Sequence, residues 1–293
     1  MGRALADAFP ICRDTFAEAD EALGEPISRL CFDGPEDELT LTRHAQPAIL
    51  AVSIAAYRLL ASRGLSPDFV AGHSLGEYSA NVAAGTFAFA DALRIVRRRG
   101  QYMQEAVPVG TGAMAAVLGL DAALVARACE EAAAGEVVSP ANLNGAGQVV
   151  IAGARDAVAR AGERAKALGA KRVVPLPVSA PFHCALMQPA EARLAPELRA
   201  LPVATPRVPI VANVDAEPKR DAAAAIEALV RQVSAPVRWE AVVQRLASEG
   251  VHAYVEVGPG AVLSGLVRKI DREASVASVD GPDGVEKAEA LAR

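Results

Sequence analysis

In several stretches of the chain, apolar residues recur at helical spacing. Short continuous apolar runs lie between these stretches. Near the N-terminus they lie three or four positions apart in Leu5-Ala8-Phe9-Cys12, and they do so again across residues 49–60. This spacing puts apolar side chains on one face, so both stretches predict helices. A short apolar run at residues 68–71 predicts a strand, and a further helix is predicted over residues 90–105. Helices alternating with short strands indicate an α/β fold.

The rhythm changes between residues 111 and 177. Strands are predicted at 113–118, 137–142, 148–152 and 172–176, with helices at 121–134 and 155–168. The order β-α-β-β-α-β is typical of a ferredoxin-like unit. Longer α/β elements then return, with strands at 209–213 and 252–257 and helices at 222–232 and 239–248. We therefore expect a hydrolase-like parallel-sheet domain formed by residues 1–110 and 178–293, into which a ferredoxin-like α+β subdomain at residues 111–177 is inserted.

The segment Gly72-His73-Ser74-Leu75-Gly76 carries the clearest chemical signal. It follows the predicted strand at 68–71 and precedes the helix-compatible Glu77-Tyr78-Ser79-Ala80. A serine between two glycines, at a strand-to-helix turn, is the pattern of a nucleophile elbow. The glycines permit a tight turn, and the amide of Leu75 opens a helix, where it can stabilise an oxyanion. Ser74 is therefore the candidate nucleophile and Leu75 the candidate oxyanion donor.

A serine hydroxyl needs a base within hydrogen-bonding reach, and the chain has four histidines. His73 adjoins Ser74, but adjacent elbow positions point in different directions, which favours a packing role and leaves a role as base open. His44 is assigned to a loop before a helix and His252 to the start of a strand, both structural or exposed. His183 follows the insert where the chain re-enters the main domain, and loops at such boundaries commonly line clefts. It is the candidate base.

A hydrolase triad would add a carboxylate between the serine and the histidine in chain order. The acidic residues there, among them Asp91, Asp121 and Asp156, lie at helix starts or on polar faces rather than at strand ends. A backbone carbonyl can orient the histidine instead and fix its tautomer. This difference separates the chain from ordinary esterases.

The sequence around Arg99 and Gln232 does not by itself determine whether these residues lie on the surface or in a site. Arg99 ends the basic run Arg97-Arg98-Arg99 and could lie on a solvated helix face. Gly100 after it permits close packing, however, and a buried guanidinium in a serine-enzyme pocket would select an acyl group with a free carboxylate. Gln232, by its position alone, is a surface residue at a helix end.

Composition narrows the class of protein. The chain has 293 residues, of which 52% are hydrophobic and 4% aromatic, with a net charge of -5. This charge gives no electrostatic reason to expect nucleic acid or an anionic membrane as a partner. The longest apolar stretch, 48–61, is interrupted by Arg58 and is short for a bilayer, and we find no signal peptide pattern. Four widely spaced cysteines without a ligand motif predict free thiols, a cytoplasmic protein and no metal site; these are Cys12, Cys31, Cys129 and Cys184.

Five segments in chain order closely resemble the malonyl-CoA:acyl carrier protein transacylases. They are Gly72-His73-Ser74-Leu75-Gly76-Glu77-Tyr78-Ser79, Arg99-Gly100-Gln101-Tyr102-Met103-Gln104-Glu105-Ala106, Pro181-Phe182-His183, Arg231-Gln232 and Glu256-Val257-Gly258-Pro259-Gly260. The resemblance covers nearly the whole chain, with the ferredoxin-like insert in the expected place. In that family a serine takes malonyl from coenzyme A as an ester. It then passes the malonyl group to the phosphopantetheine thiol of acyl carrier protein, in fatty-acid or polyketide synthesis.

The resemblance implies a role for each matching residue. Ser74 would be the nucleophile and His183 the general base and acid. Arg99 would bind the malonyl carboxylate, and Gln232 would orient His183 through its backbone carbonyl. Phe182 resembles the aromatic residue that crowds an α-methyl group, which favours malonyl over methylmalonyl.

The implied partners are malonyl-CoA and acyl carrier protein. The coenzyme A thioester is a substrate, so no separate cofactor is expected, and neither nucleic acid nor a membrane is expected to bind. We expect a monomer.

One departure from the family concerns the start of the chain. Members usually begin with a β-strand and a Phe-Pro-Gly-Gln-Gly loop, whose glutamine amide supplies a second oxyanion donor. Residues 1–6 resemble the helix that follows that loop, so we expect the strand and half of the oxyanion hole to be missing, with the natural reading frame beginning upstream. Two alternatives stay open. A serine thioesterase or esterase would share the elbow, and the missing strand leaves open a truncated paralogue that binds the carrier with little activity.

Overall fold

The computed structural model describes residues 1–291. The helices, numbered along the chain, are α1 Arg3–Ala8, α2 Pro10–Leu23, α3 Ile27–Asp33, α4 Glu36–Thr40, α5 Thr42–Ser62, α6 Leu75–Ala84, α7 Phe89–Glu105, α8 Ala122–Ala132, α9 Arg155–Ala167, α10 Gln188–Arg199, α11 Ala222–Gln232, α12 Trp239–Ser248, α13 Val262–Ile270 and α14 Pro282–Leu291. The strands are β1 Val70–Ala71, β2 Gly112–Leu118, β3 Val138–Gly145, β4 Gln148–Ala154, β5 Arg172–Pro175, β6 Ile210–Val211, β7 Pro218–Lys219, β8 Ala253–Val257 and β9 Ser275–Val279. The predicted α/β class is confirmed.

Two small sheets lie among the longer helices. In the first, β1 pairs in parallel with β6, and β6 pairs antiparallel with β7. In the second, β8 and β9 pair in parallel from Ala253 opposite Ser275 to Val257 opposite Val279. Helices α5, α6 and α7 pack against one another beside the β1 strand. Because β1 and β6 are parallel, their carboxyl ends meet at one edge of the sheet. This is the edge at which open α/β sheets bind ligands.

Helix α5 forms the centre of the largest apolar core. Its buried positions include Leu50, Ile54 and Leu59, which pack against residues of α2 and α7. By length and composition the helix could cross a membrane, but 67% of its most apolar window is buried inside the protein. Such burial is typical of a core helix in a folded domain.

The predicted ferredoxin-like unit is present between residues 112 and 175. Its four strands have the order β3-β4-β2-β5 and all neighbours are antiparallel. Helices α8 and α9 pack together over the sheet, with Val117, Val125 and Ile151 in a separate apolar core. A bridge from Asn142 to Val237, and a hydrogen bond from the Leu143 amide to the Val237 carbonyl, join this unit to the main α/β layer.

The predicted elements that the structure contains differ from it mainly at their ends, and several further elements were not predicted. The helices at 222–232 and 239–248 have the predicted bounds, while the strand predicted at 209–213 is limited to Ile210–Val211. His44, which was assigned to a loop, lies in the first turn of α5 because that helix begins at Thr42. Helices α3, α4, α10, α13 and α14 and strands β7 and β9 have no counterpart among the predicted elements. All four cysteines are free, as predicted, and the structure shows that all four are buried.

Candidate active site

Ser74 lies at the turn between β1 and α6, directly before the first helical residue. Its backbone has φ 53° and ψ -105°, a conformation that non-glycine residues rarely adopt. The turn is tight enough that a Cβ on Gly72 would lie 2.1 Å from the backbone carbonyl carbon and oxygen of Gly76. The first glycine of the motif is therefore required by close backbone approach, and the serine hydroxyl projects from a strained apex.

Asn213, two residues after β6, holds this turn from outside. Its Oδ1 accepts a hydrogen bond from the Ser74 amide at 2.7 Å, and its Nδ2 donates to the Gly72 carbonyl at 2.8 Å. The side chain thus ties both ends of the strained peptide segment to the end of the neighbouring parallel strand. Strain of this kind persists only when the surroundings hold it in place.

His183 is hydrogen-bonded to the candidate nucleophile. Its Nε2 lies 2.7 Å from Ser74 Oγ, and its Nδ1 lies 2.9 Å from the backbone oxygen of Gln232. A carbonyl oxygen only accepts, so Nδ1 carries the proton and Nε2 is free to accept from the serine hydroxyl. Burial, followed by the nearby charge of Arg99, lowers the pKa of His183 to about 3. The imidazole is therefore neutral at physiological pH.

Arg99 lies inside the protein, with only 2% of its surface exposed. Its Nη2 donates to Ser74 Oγ and to Gln232 Oε1, each at 3.0 Å, and its Nη1 donates to Gln46 Oε1 at 2.7 Å. A Cβ on Gly100 would lie 2.5 Å from the Thr42 carbonyl oxygen, so the glycine allows α7 to approach the start of α5 closely. The structure thus brings a buried guanidinium to the serine hydroxyl.

Gln232 and Glu77 complete the polar cluster. Gln232 Nε2 donates to the Ser74 carbonyl at 2.9 Å and to Glu77 Oε2 at 2.7 Å. Glu77 Oε2 also accepts a hydrogen bond from the backbone N–H of Asn213 at 3.0 Å. Burial raises the pKa of Glu77 to about 7, and the hydrogen bonds from Asn213 and Gln232 oppose this effect.

Two further predicted residues border the cluster. The amide of Leu75, the first residue of α6, donates to no acceptor among residues 1–291, which leaves it available beside Ser74. Phe182 is half-buried and packs against the main apolar core and against Met114, Ala116 and neighbouring residues of the ferredoxin-like unit. It therefore stands at the junction of the two units, next to His183.

The other three histidines take no part in the contact with Ser74 Oγ. His73 is directed toward the ferredoxin-like unit, with Nε2 3.0 Å from Asn144 Oδ1 and its ring 5.7 Å from that of Trp239. His44 Nδ1 lies 2.9 Å from the Glu38 carbonyl oxygen, and His252 follows Gly250 on the surface. Each is explained by local packing or surface contacts.

Glu77, Asn213 and Gln46 belong to the cluster but were not among the predicted site residues. Asn213 follows a strand whose carboxyl end adjoins the elbow, which is a positional signal for a site residue. Arg99 is spaced seven, four and three residues after Ala92, Ile95 and Val96, all buried. The helical period thus puts Arg99 on the inner face, a signal that separates it from its exposed neighbour Arg98.

The cluster has the components of acyl transfer through a covalent ester. It holds a nucleophile, a neutral base within 2.7 Å, a free helix-start amide and a buried cation beside the reacting oxygen. The histidine is oriented by a backbone carbonyl and not by a carboxylate. Within residues 1–291, no group of three His, Cys, Asp or Glu side chains is arranged to hold a metal ion.

Comparison with known proteins gives consistent results. The family model described as "Acyl transferase domain" matches residues 1–284. The malonyl CoA-acyl carrier protein transacylase of Escherichia coli (strain K12) is 51% identical over 282 residues, which cover 96% of this chain and 91% of the relative. The structure of the malonyl CoA-acyl carrier protein transacylase from Coxiella burnetii superposes with a TM-score of 0.97 at 41% identity and covers 100% of this chain and 93% of its own. A type II PKS acyl-carrier protein in complex with its malonyl-transacylase gives a TM-score of 0.96 at 48% identity, with coverage of 98% and 94%.

Proposed function

The chain belongs to the acyl transferase domain family and, within it, to the malonyl CoA-acyl carrier protein transacylases, and from this we propose how it works. It transfers a malonyl group from malonyl-CoA to the phosphopantetheine thiol of acyl carrier protein, by way of an ester on Ser74. The single observation that carries the assignment of residues is the buried Arg99 guanidinium, 3.0 Å from the nucleophilic oxygen. A cation there has no use in transferring a neutral acyl group, but it binds the free carboxylate of malonyl.

In the first half-reaction, Ser74 Oγ attacks the thioester carbonyl and its proton passes to His183 Nε2. The charge that develops on the carbonyl oxygen is stabilised by the Leu75 amide. As the tetrahedral intermediate collapses, the carbon–sulfur bond breaks and His183 returns the proton to the departing sulfur of coenzyme A. The products are free coenzyme A and a malonyl ester on Ser74.

The second half-reaction is the reverse with a different thiol. His183 accepts the proton of the carrier thiol, and the resulting thiolate attacks the ester carbonyl. When the carbon–oxygen bond to Ser74 breaks, His183 returns the proton to Oγ. Malonyl leaves on the carrier and the site is restored.

Substrate binding also prepares the base. Burial and, after it, the positive charge of Arg99 lower the pKa of His183 to about 3, which makes the imidazole a weak base. A malonyl carboxylate on Arg99 offsets that charge, so the imidazolium formed during attack is less unfavourable. An acetyl group would leave the base weak, and the site therefore favours malonyl both in binding and in reaction.

The remaining assignments follow from the same site. Gln232 orients His183 through its backbone oxygen, and Phe182 next to the base restricts the space for an α-methyl group.

We assign residues 111–177 to the inserted subdomain and residues 1–110 and 178–293 to the main domain, with the site between them. The acyl transfer is complete with the side chains named and needs no cofactor besides the thioester substrate. Buried free thiols support a cytoplasmic location.

Product analysis tests the proposal against its two alternatives. The protein is incubated with malonyl-CoA, with and without phosphopantetheinylated acyl carrier protein, and the acyl products are measured. Malonyl on the carrier supports the transacylase. Free malonate formed at the same rate with and without the carrier would indicate a thioesterase, and neither product would indicate a carrier-binding paralogue.

A further inference from the structure

Two opposite charges are buried at this site, and only one of them has a role in the reaction described above. Within residues 1–291, Arg99 is the only buried lysine or arginine, and Glu77 is the only buried aspartate or glutamate. Glu77 is 0% exposed, and it lies on α6 three residues after the nucleophile. Burying a charge is costly unless another charge or hydrogen bonds compensate it. The presence of both at one site indicates that each compensates the other.

The two side chains share one hydrogen-bonding partner, the carboxamide of Gln232. Its Oε1 accepts from Arg99 Nη2 at 3.0 Å, and its Nε2 donates to Glu77 Oε2 at 2.7 Å. The reverse orientation would set NH₂ against a guanidinium, which only donates, and oxygen against the oxygens of Glu77 and Ser74. The amide is therefore fixed at both ends and is polarised along the line from cation to anion.

We propose that Glu77 is a positioning residue that supplies the resting counter-charge of Arg99 through Gln232, and that the carboxylate of the acyl group competes with it. This inference rests on the proposed function, because it takes Arg99 as the group that binds malonyl. When the substrate carboxylate reaches Arg99, the site contains two anions and one cation. Protonation of Glu77 then restores neutrality, so binding of malonyl-CoA is coupled to proton uptake.

The surroundings of Glu77 support this exchange. Its Oε1 is buried and has no hydrogen-bonding partner among residues 1–291, while Oε2 has two donors. Its pKa of about 7 puts both protonation states within reach at physiological pH. The charges that act on Glu77 are those of Asp215, which raises its pKa, and of Arg99 on α7, which lowers it. Tyr78, next to Glu77 on α6, and His183, on the loop between β5 and α10, are titratable groups of the same cluster. Lys219 and Arg231 pair with Asp215, which leaves Arg99 as the cation linked to Glu77.

The test is proton-linked binding measured without turnover. In a Ser74→Ala background, malonyl-CoA is titrated by calorimetry in two buffers of different ionisation enthalpy, across about pH 6 to 8.5. We expect proton uptake that is greatest near and just above neutral pH, and an affinity at least about fivefold weaker at the alkaline end, the lower end of typical coupling between sites. Acetyl-CoA carries the same nucleotide and phosphates but no free carboxylate, so the malonyl-minus-acetyl difference isolates the acyl carboxylate.

The variant Glu77→Gln keeps an acceptor for Asn213 and Gln232 but removes the charge. It should abolish the malonyl-specific proton uptake and leave the malonyl affinity independent of pH, while Glu163→Gln, at an exposed glutamate, should leave both unchanged. Malonyl-specific proton uptake that persists in Glu77→Gln would overturn the inference. The absence of such uptake in the Ser74→Ala parent would also overturn it, and this result does not depend on whether Glu77→Gln folds. Carrier loading by the wild-type chain is measured in parallel. If loading fails as well, the proposed function falls together with the inference; if loading succeeds, the inference falls alone.

Discussion

Arg99 shows how strongly a single buried charge can direct a site. It contacts Ser74 Oγ and two glutamine side chains, and its charge adds to the effect of burial in lowering the pKa of His183. Replacing it with alanine removes the proposed partner of the malonyl carboxylate. We expect malonyl transfer to fall by the equivalent of about 2–5 kcal/mol, with a much smaller change in acetyl transfer because the base is no longer opposed by a cation. The measurement is kcat/KM for both thioesters.

The neighbouring Arg98 provides the matched control for this substitution. It lies one position away on α7 but is exposed and paired with Glu197. Arg98→Ala should leave the malonyl-to-acetyl preference of the enzyme unchanged, since surface ion pairs contribute little. An equal fall in malonyl and acetyl transfer in Arg99→Ala would contradict the selective role and make Arg99 a structural residue.

The residues of the site differ in how well sequence predicts them. Ser74 has a local signature, because the turn demands glycines at fixed offsets, and His183 was found by its place at a boundary between units. Glu77 and Asn213 act across the fold, from α6 to the end of β6, and their partners lie more than 130 positions away along the chain. Only the folded chain reveals such contacts. Their residue types alone are equally common on exposed helices and turns.

The elbow depends on an element that is remote in sequence. Asn213 after β6 binds the Ser74 amide and the Gly72 carbonyl, so Asn213→Ala leaves both groups without their partner. We expect a loss of about 2 kcal/mol or more in the free energy of unfolding, and a larger proportional loss of kcat as the turn relaxes. Urea unfolding and malonyl transfer assays measure the two effects.

The N-cap residue Asp121 provides a control for Asn213, because its substitution should affect stability without affecting the site. Asp121 accepts a hydrogen bond from the Ala123 amide at the start of α8, in the ferredoxin-like unit. Asp121→Ala should lower stability by about 1 kcal/mol and leave kcat unchanged. If Asn213→Ala also lost only stability, the elbow would not need this support.

Element type was easier to predict than element length. The ferredoxin-like unit followed from the alternation of strand and helix patterns, because local periodicity is sufficient there. The strands beside the elbow are only two residues long, Val70–Ala71 and Ile210–Val211, since the chain turns away to form the site. The apolar run after β6 continues past the strand because Ala212 and Val214 are buried in a small apolar cluster with Ala228.

Two of the buried titratable groups, His183 and Glu77, set opposing pH dependences for the stability of the molecule. The pKa of His183 falls from 6.5 to about 3, so its contribution to stability is present above pH 6.5 and is lost as the pH falls. The pKa of Glu77 rises from 4.5 to about 7, so its contribution is present at acidic pH and is lost as the pH rises from 4.5 through 7. Between about pH 4.5 and 6.5 the two slopes oppose each other.

Removing the Glu77 carboxyl group should change how the free energy of unfolding depends on pH. Relative to the wild-type protein, Glu77→Gln should gain stability as the pH rises between 4.5 and 6.5, by about 1.4 kcal/mol per pH unit at most. Urea unfolding of both proteins at a series of pH values measures this difference. A difference that stays constant with pH would mean that Glu77 has the same protonation state when folded and unfolded.

The covalent ester on Ser74 is the step on which the whole account depends. The wild-type protein and Ser74→Ala are each mixed with malonyl-CoA, and their intact masses are recorded before and after phosphopantetheinylated carrier is added. The wild-type protein should gain the mass of one malonyl group and lose it to the carrier. Ser74→Ala should fold normally and gain nothing. A malonyl adduct that persists in Ser74→Ala, or carrier loading by that variant at the wild-type rate, would contradict the account.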